Sequence, residues 1–90
     1  MMSEDPYAKL REQLELLEWP NVYLFKFITP NESEKIAVLT ALFDDGTDLH
    51  YQPSKTGKYM SVSVKEMMMD VDSIIEKYKR AAKVDGVITL

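Results

Sequence analysis

Residues 53–64 read Pro-Ser-Lys-Thr-Gly-Lys-Tyr-Met-Ser-Val-Ser-Val, a polar turn centred on Gly57 that runs straight into an alternating strand. Met60, Val62 and Val64 alternate there with Tyr59, Ser61, Ser63 and Lys65. Period-two alternation places one set on a core and the other on an open face. The chain must therefore fold around a hairpin in a sheet covered on one side. Val22 to Thr29 repeats the pattern, with Tyr23, Phe25 and Phe27 on one face and Leu24, Lys26 and Ile28 on the other.

Helical spacing fills the rest. Asp5-Pro6 fits an N-cap followed by proline at the first helical position, and Tyr7, Leu10, Leu14 and Leu17 then recur on one face. Glu12, Glu15 and Glu18 make the other surface acidic, and Trp19-Pro20 ends the helix. Asn31 is placed to cap a second helix, with Glu34 three residues later and Ile36, Leu39, Leu42 and Phe43 as its inner stripe. Asp44-Asp45-Gly46 stops it. Leu49 to Ser54 reads as a strand whose Pro53 belongs at a sheet edge, a bulge or the hairpin mouth. Tyr59 to Met67 is the strand after the turn. Asp70 caps a third helix with Val71, Ile74, Ile75, Tyr78 and Ala82 inside, and Glu76 and Arg80 form an i, i+4 pair on its surface. Asp85-Gly86 turns the chain into a short last strand, Val87 to Leu90.

After the leading helix the order is strand, helix, strand, strand, helix, strand. This predicts an α+β fold of ferredoxin-like βαββαβ type, a four-stranded antiparallel sheet with two helices on one face. Residues 1–90 form one domain, of which residues 5–19 are an N-terminal helical extension.

Charge and composition narrow the chemistry. The net charge is −4, and the two arginines, Arg11 and Arg80, fall in separate elements. Such a chain lacks the clustered cations that phosphate backbones require, so nucleic acid is not an expected partner. No cysteine is present, which removes disulfides, thiolate nucleophiles and Cys-based metal sites. No apolar run approaches a membrane span and the acidic start is unlike a signal peptide, so a cytoplasmic protein is expected.

Two places carry candidate sites. Ser54, Lys55, Gly57, Lys58 and Tyr59 combine turn N–H groups, lysines and hydroxyls that can receive a carboxylate or phosphate. The plainer reading is a well-formed turn with solvated lysines. It is no P-loop, since Gln52 stands where the first glycine belongs and Tyr59 follows Lys58 where a magnesium-binding hydroxyl belongs. The second place is the open sheet face, with Leu24, Lys26, Ile28, Tyr59, Ser61, Ser63 and Lys65, whose mixed character suits a partner, a second copy or a small anion. The leading helix can equally fold over that face through Leu10, Leu14 and Leu17.

Other features read as structure. His50 is the single histidine and has no second metal ligand at a useful spacing. Asp44 to Asp48 lacks the alternating ligands and distant glutamate of a calcium loop. Met67-Met68-Met69 reads as gap-filling core. Tyr7, Trp19 and Tyr23 read as packing of the first helix on the sheet rather than a ligand cage. No metal site and no cofactor are expected.

Leu16-Leu17-Glu18-Trp19-Pro20, Phe25-Lys26, Ser54-Lys55-Thr56-Gly57-Lys58-Tyr59 and Ser61-Val62-Ser63-Val64 together resemble the YbeD-like family. The likeness spans roughly residues 8 to 90. Trp19 before Pro20 and Thr56 within the turn depart from the family pattern. The resemblance implies a small bacterial protein of unknown function, labelled a lipoic acid-binding regulatory protein, with a fold similar to ACT domains. It supplies no lipoate-binding residue.

The expectation is a non-catalytic regulatory or ligand-sensing module that binds a small anionic metabolite. The alternative is an interaction module that docks on an enzyme, or on itself, through the open face. An acylphosphatase-type enzyme, which shares this topology, needs a phosphate-cradling arginine where Pro30-Asn31-Glu32 stands. RNA binding on the sheet would need Phe25 and Phe27 on the open face, opposite to the side their alternation assigns them.

Overall fold

β1 (Asn21–Pro30) and β3 (Tyr59–Met68) form the centre of the computed structural model, which describes residues 5–43 and 47–90. They pair antiparallel along their whole length, Asn21 opposite Met68 and Pro30 opposite Tyr59. β2 (Asp48–Pro53) pairs antiparallel with the outer side of β3, and β4 (Ile88–Thr89) with β1 at Ile28 and Phe27. The strand order is β2-β3-β1-β4 in one sheet. Pro53 sits on an edge strand, where its missing N–H costs no ladder bond.

The alternation read from the sequence assigns the faces correctly. Phe25, Phe27, Val62 and Val64 are fully buried, together with Leu39 of α2 (Ser33–Thr40) and Ile74 of α3 (Val71–Ala81). Each such side chain contributes roughly 1.5–3 kcal/mol by leaving water. α2 packs on β1 and α3 on β3, while α1 (Ala8–Glu15) packs on α3. Leu14 is buried, Tyr7 and Leu10 pack beside it, and Arg11 Nη1 lies 2.6 Å from Asp72 Oδ1 of α3. The leading helix thus extends the helical layer and leaves the opposite sheet face bare.

Phe25 lies at the middle of an aromatic cluster. Its ring centroid is 4.8 Å from Tyr23, 5.2 Å from Phe43 and 5.3 Å from Tyr78. The Tyr23 and Tyr78 hydroxyls are hydrogen-bonded at 2.9 Å. Burial pushes the Tyr78 hydroxyl well above its ordinary range, and the bond to Tyr23 adds to the effect. A raised folded-state value stabilises the fold below the unfolded tyrosine value of about 10 and loses that contribution as pH rises above it. Tyr23→Phe leaves Tyr78 without its partner and is expected to cost about 1 kcal/mol. In Tyr78→Phe the alkaline loss of stability should flatten. Urea unfolding of both variants and the parent, at neutral pH and above pH ~10, measures both effects.

Local signals were redirected in several places. Asp5 does not cap α1: Tyr7 is its N-cap residue, no side chain caps it, and Asp5 Oδ1 accepts the Tyr7 N–H at 2.9 Å. Leu17 lies beyond the helix and is half-exposed, because α1 ends at Glu15. Asn31 does not cap α2. Glu32 is the N-cap residue, with no side-chain bond, and Asn31 Nδ2 instead donates to the Gly57 carbonyl at 2.9 Å. A long-range partner has outcompeted the local one.

Ala82 lies outside the core, and Ala81 takes the buried position one residue earlier. Only Met68 of the three methionines is buried. Met67 points to the open face and Met69 follows the strand, so both are exposed. The stop and calcium-like turn read at Asp44-Asp45-Gly46 lie outside the described residues.

Asp70 does cap α3, accepting the Ser73 hydroxyl at 2.7 Å and its N–H at 2.8 Å. Those bonds hold its carboxyl below the usual aspartate range. The Glu76–Arg80 pair forms at 3.2 Å. Trp19 Nε1 donates to the Leu14 carbonyl at 2.9 Å, so Trp19 packs against the core rather than in a cage.

Candidate functional site

The β1–β3 register places the open-face residues in rows. Leu24 faces Lys65, Lys26 faces Ser63, and Ile28 faces Ser61. β2 extends the rows with Asp48, His50 and Gln52, and β4 adds Ile88 beside Ile28. Val22, Leu24, Tyr59 and Met67 are about half-exposed or more, as are Ile88 and Leu90 at the β4 side. Large apolar groups and two lysines therefore share one uncovered sheet surface. Lys26, Gln52, Ser61, Ser63 and Leu90 line a shallow depression of about 230 Å³ in it. Asp48 lies opposite Lys65 in the register and 3.2 Å from His50, so among the described residues of the face Lys26 and Lys65 outnumber the single acid. The face is thus locally cationic in a chain of net charge −4.

The turn between β2 and β3 is built from its own backbone. Ser54 N–H donates to the Tyr59 carbonyl at 2.9 Å, and Gly57 N–H to the Ser54 carbonyl at 3.0 Å. Tyr59 N–H donates to Ser54 Oγ at 3.1 Å. Gly57 adopts φ +76°, which explains the glycine by turn geometry alone. Three of the groups read as anion receptors are thus spent on the turn itself. Lys55 and Lys58 remain exposed and, among the described residues, outside any salt bridge. Asn31 straps the turn to the end of β1, its N–H donating to the Lys58 carbonyl at 2.9 Å. The turn and the face meet at Tyr59, which belongs to both.

A groove of about 360 Å³ on the helical side went unread in the sequence. Lys35, Arg80, Lys83, Glu32 and Glu34 rim it over Val38 and Val84. Lys35 is 3.8 Å from Glu32 and 3.9 Å from Asp85, and Arg80 is taken by Glu76. Only tertiary packing brings these residues together, and no sequence spacing marks them. Among the described residues no cluster of three or more His, Cys, Asp or Glu can hold a metal ion, and no helix is long and apolar enough to cross a membrane.

The chain is similar to a UPF0250 protein of Pasteurella multocida, with 30% identity over 86 residues, 91% of this chain and 94% of that protein. No family model matches the chain. No solved structure matches it.

Proposed function

The chain belongs to the UPF0250 family, and on that footing we propose a non-catalytic module that works by docking a protein partner on its open sheet face. The YbeD-like resemblance and the UPF0250 relative point to the same group of small bacterial proteins of unknown function. The order β2-β3-β1-β4, with every neighbour antiparallel, supports reading the fold as the split βαβ of ferredoxin-like proteins.

One observation carries the docking reading. Three helices crowd onto one side of the sheet while Val22, Leu24, Met67, Ile88 and Leu90 stay open on the other. Lys26 and Lys65 beside this apolar surface suit a partner with an apolar centre and carboxylates opposite them. An enzyme regulated by such docking is the expected kind of partner.

A second reading, a small anion held at Ser54 to Tyr59, is favoured by Lys55 and Lys58, which make no salt bridge among the described residues, on a turn braced by Asn31. Lipoate enters only as one member of an anion panel. The two readings separate by mutation. Ile28→Asp and Tyr59→Asp should weaken partner binding at least about tenfold, the loss expected from a central contact, with circular dichroism unchanged. Lys55→Ala and Lys58→Ala should leave that binding intact. Saturable amide shifts at Ser54 to Tyr59 with an anion, lost in the lysine variants, would instead establish the sensing reading. If all four variants match the parent in both assays, neither surface is the site.

A further inference from the structure

We propose that the first residues of β1 form a pairing edge for a second copy of this chain, joined antiparallel about Tyr23 on a two-fold axis. β4 covers β1 only at Ile28 and Phe27, with one further bond from Leu90 N–H to the Lys26 carbonyl at 3.0 Å. In an antiparallel strand alternate residues turn their N–H and C=O to the same side. Lys26 therefore fixes the direction for Val22 and Leu24, whose backbone groups face away from β3. Among the described residues no strand meets them there.

This edge is also unguarded. Natural edges carry charges, proline, bulges or a covering element. β2, the opposite edge, has Asp48, His50 and Pro53. Asn21 to Phe25 has no charge and no proline. That composition also suits self-pairing. In the pairing about Tyr23, Val22 lies opposite Leu24 of the second copy, so no like charges meet although each chain carries −4.

Val22 and Leu24 on this edge are 49% and 48% exposed, and Leu16 and Leu17, shortly before β1 in the chain, are 84% and 50% exposed, so the edge offers a second copy apolar side chains as well as backbone groups. No other element of the described chain covers them.

The inference goes beyond the docking reading. Pairing consumes a backbone edge and leaves the Lys26–Ser63 surface free in both copies. Sedimentation velocity across the micromolar to millimolar range should reveal a dimer. Leu24→Lys places two lysines across the axis and should raise the dissociation constant at least about tenfold. Ile88→Lys, on β4 beyond the paired stretch of the same flank of β1, should not change it. In amide exchange, Val22 and Leu24 should gain protection as the dimer forms. A monomer throughout the range overturns the proposal while leaving partner docking untouched. A dimer with freely exchanging Val22 and Leu24 amides overturns it too, as does one that Ile88→Lys disrupts as strongly as Leu24→Lys.

Discussion

Phe25→Ala is expected to lower the unfolding free energy by about 3–5 kcal/mol, the cost of a large buried aromatic lost without collapse of its site. The site cannot readily collapse. Phe25 is fully buried, and its ring meets Tyr23, Phe27, Phe43 and Tyr78. These partners come from β1, from the segment after α2, and from α3. Removing the ring leaves a void bounded by three separately anchored parts. Whole domains are stable by only about 5–15 kcal/mol, so the variant should stand much nearer its unfolding threshold than the parent. Leu24→Ala, the next residue but on the open face, should cost less than about 1 kcal/mol in the monomer. Urea titration of the pair measures the contrast. Equal costs would mean that the face assignment is wrong.

Gly86→Val is expected to cost about 2–4 kcal/mol, since a β-branched residue meets both backbone strain and a steric block. Gly86 adopts φ +85°, and a Cβ there would lie 2.8 Å from Pro30 Cγ. Pro30 is itself fixed opposite Tyr59 in the sheet. The ring has no room to retreat without moving β1, so β4 should lose its place beside Ile28. Gly57 provides the control. Its φ is +76°, but a Cβ would meet nothing within 4 Å. Gly57→Ala should therefore cost only the backbone part, about 1 kcal/mol. Thermal unfolding of both variants separates strain from clash. If Gly57→Ala proves as costly as Gly86→Val, the Pro30 contact contributes nothing.

The strands were legible because alternation is a direct consequence of strand geometry. Phe25 and Phe27, or Val62 and Val64, cannot share a face with Lys26 or Ser63. Asp70 was legible because its capping partner, Ser73, lies three residues away. Asn31 misled because its side chain reaches Gly57 across the fold, and no local rule contains that partner. The inner stripe of α3 slipped at its end, from Ala82 to Ala81, where the helix is already closing. For α1 the apolar stripe was correct in Leu10 and Leu14, but a stripe does not say which surface will receive it.

The candidate face was readable in composition, through Lys26, Ser61 and Ser63. Its exposure was not, because that depends on where α1 packs. The turn was readable in shape, but the use of its N–H groups was not, since Ser54 Oγ takes one of them. The groove under Lys35 and Arg80 joins residues from two helices, and only the folded chain makes it.

The central pairing of β1 with β3 bears on how quickly the domain assembles. Pro30 meets Tyr59 and Asn21 meets Met68, so even the partners nearest in sequence are separated by the whole of α2 and β2. Closing so long a loop demands chain entropy before the Phe25–Val64 and Phe27–Val62 contacts repay it. The β2–β3 hairpin needs only the turn at Gly57 and can form locally. Such a topology favours a hairpin that forms first and then captures β1, with the long-range capture as the slower step.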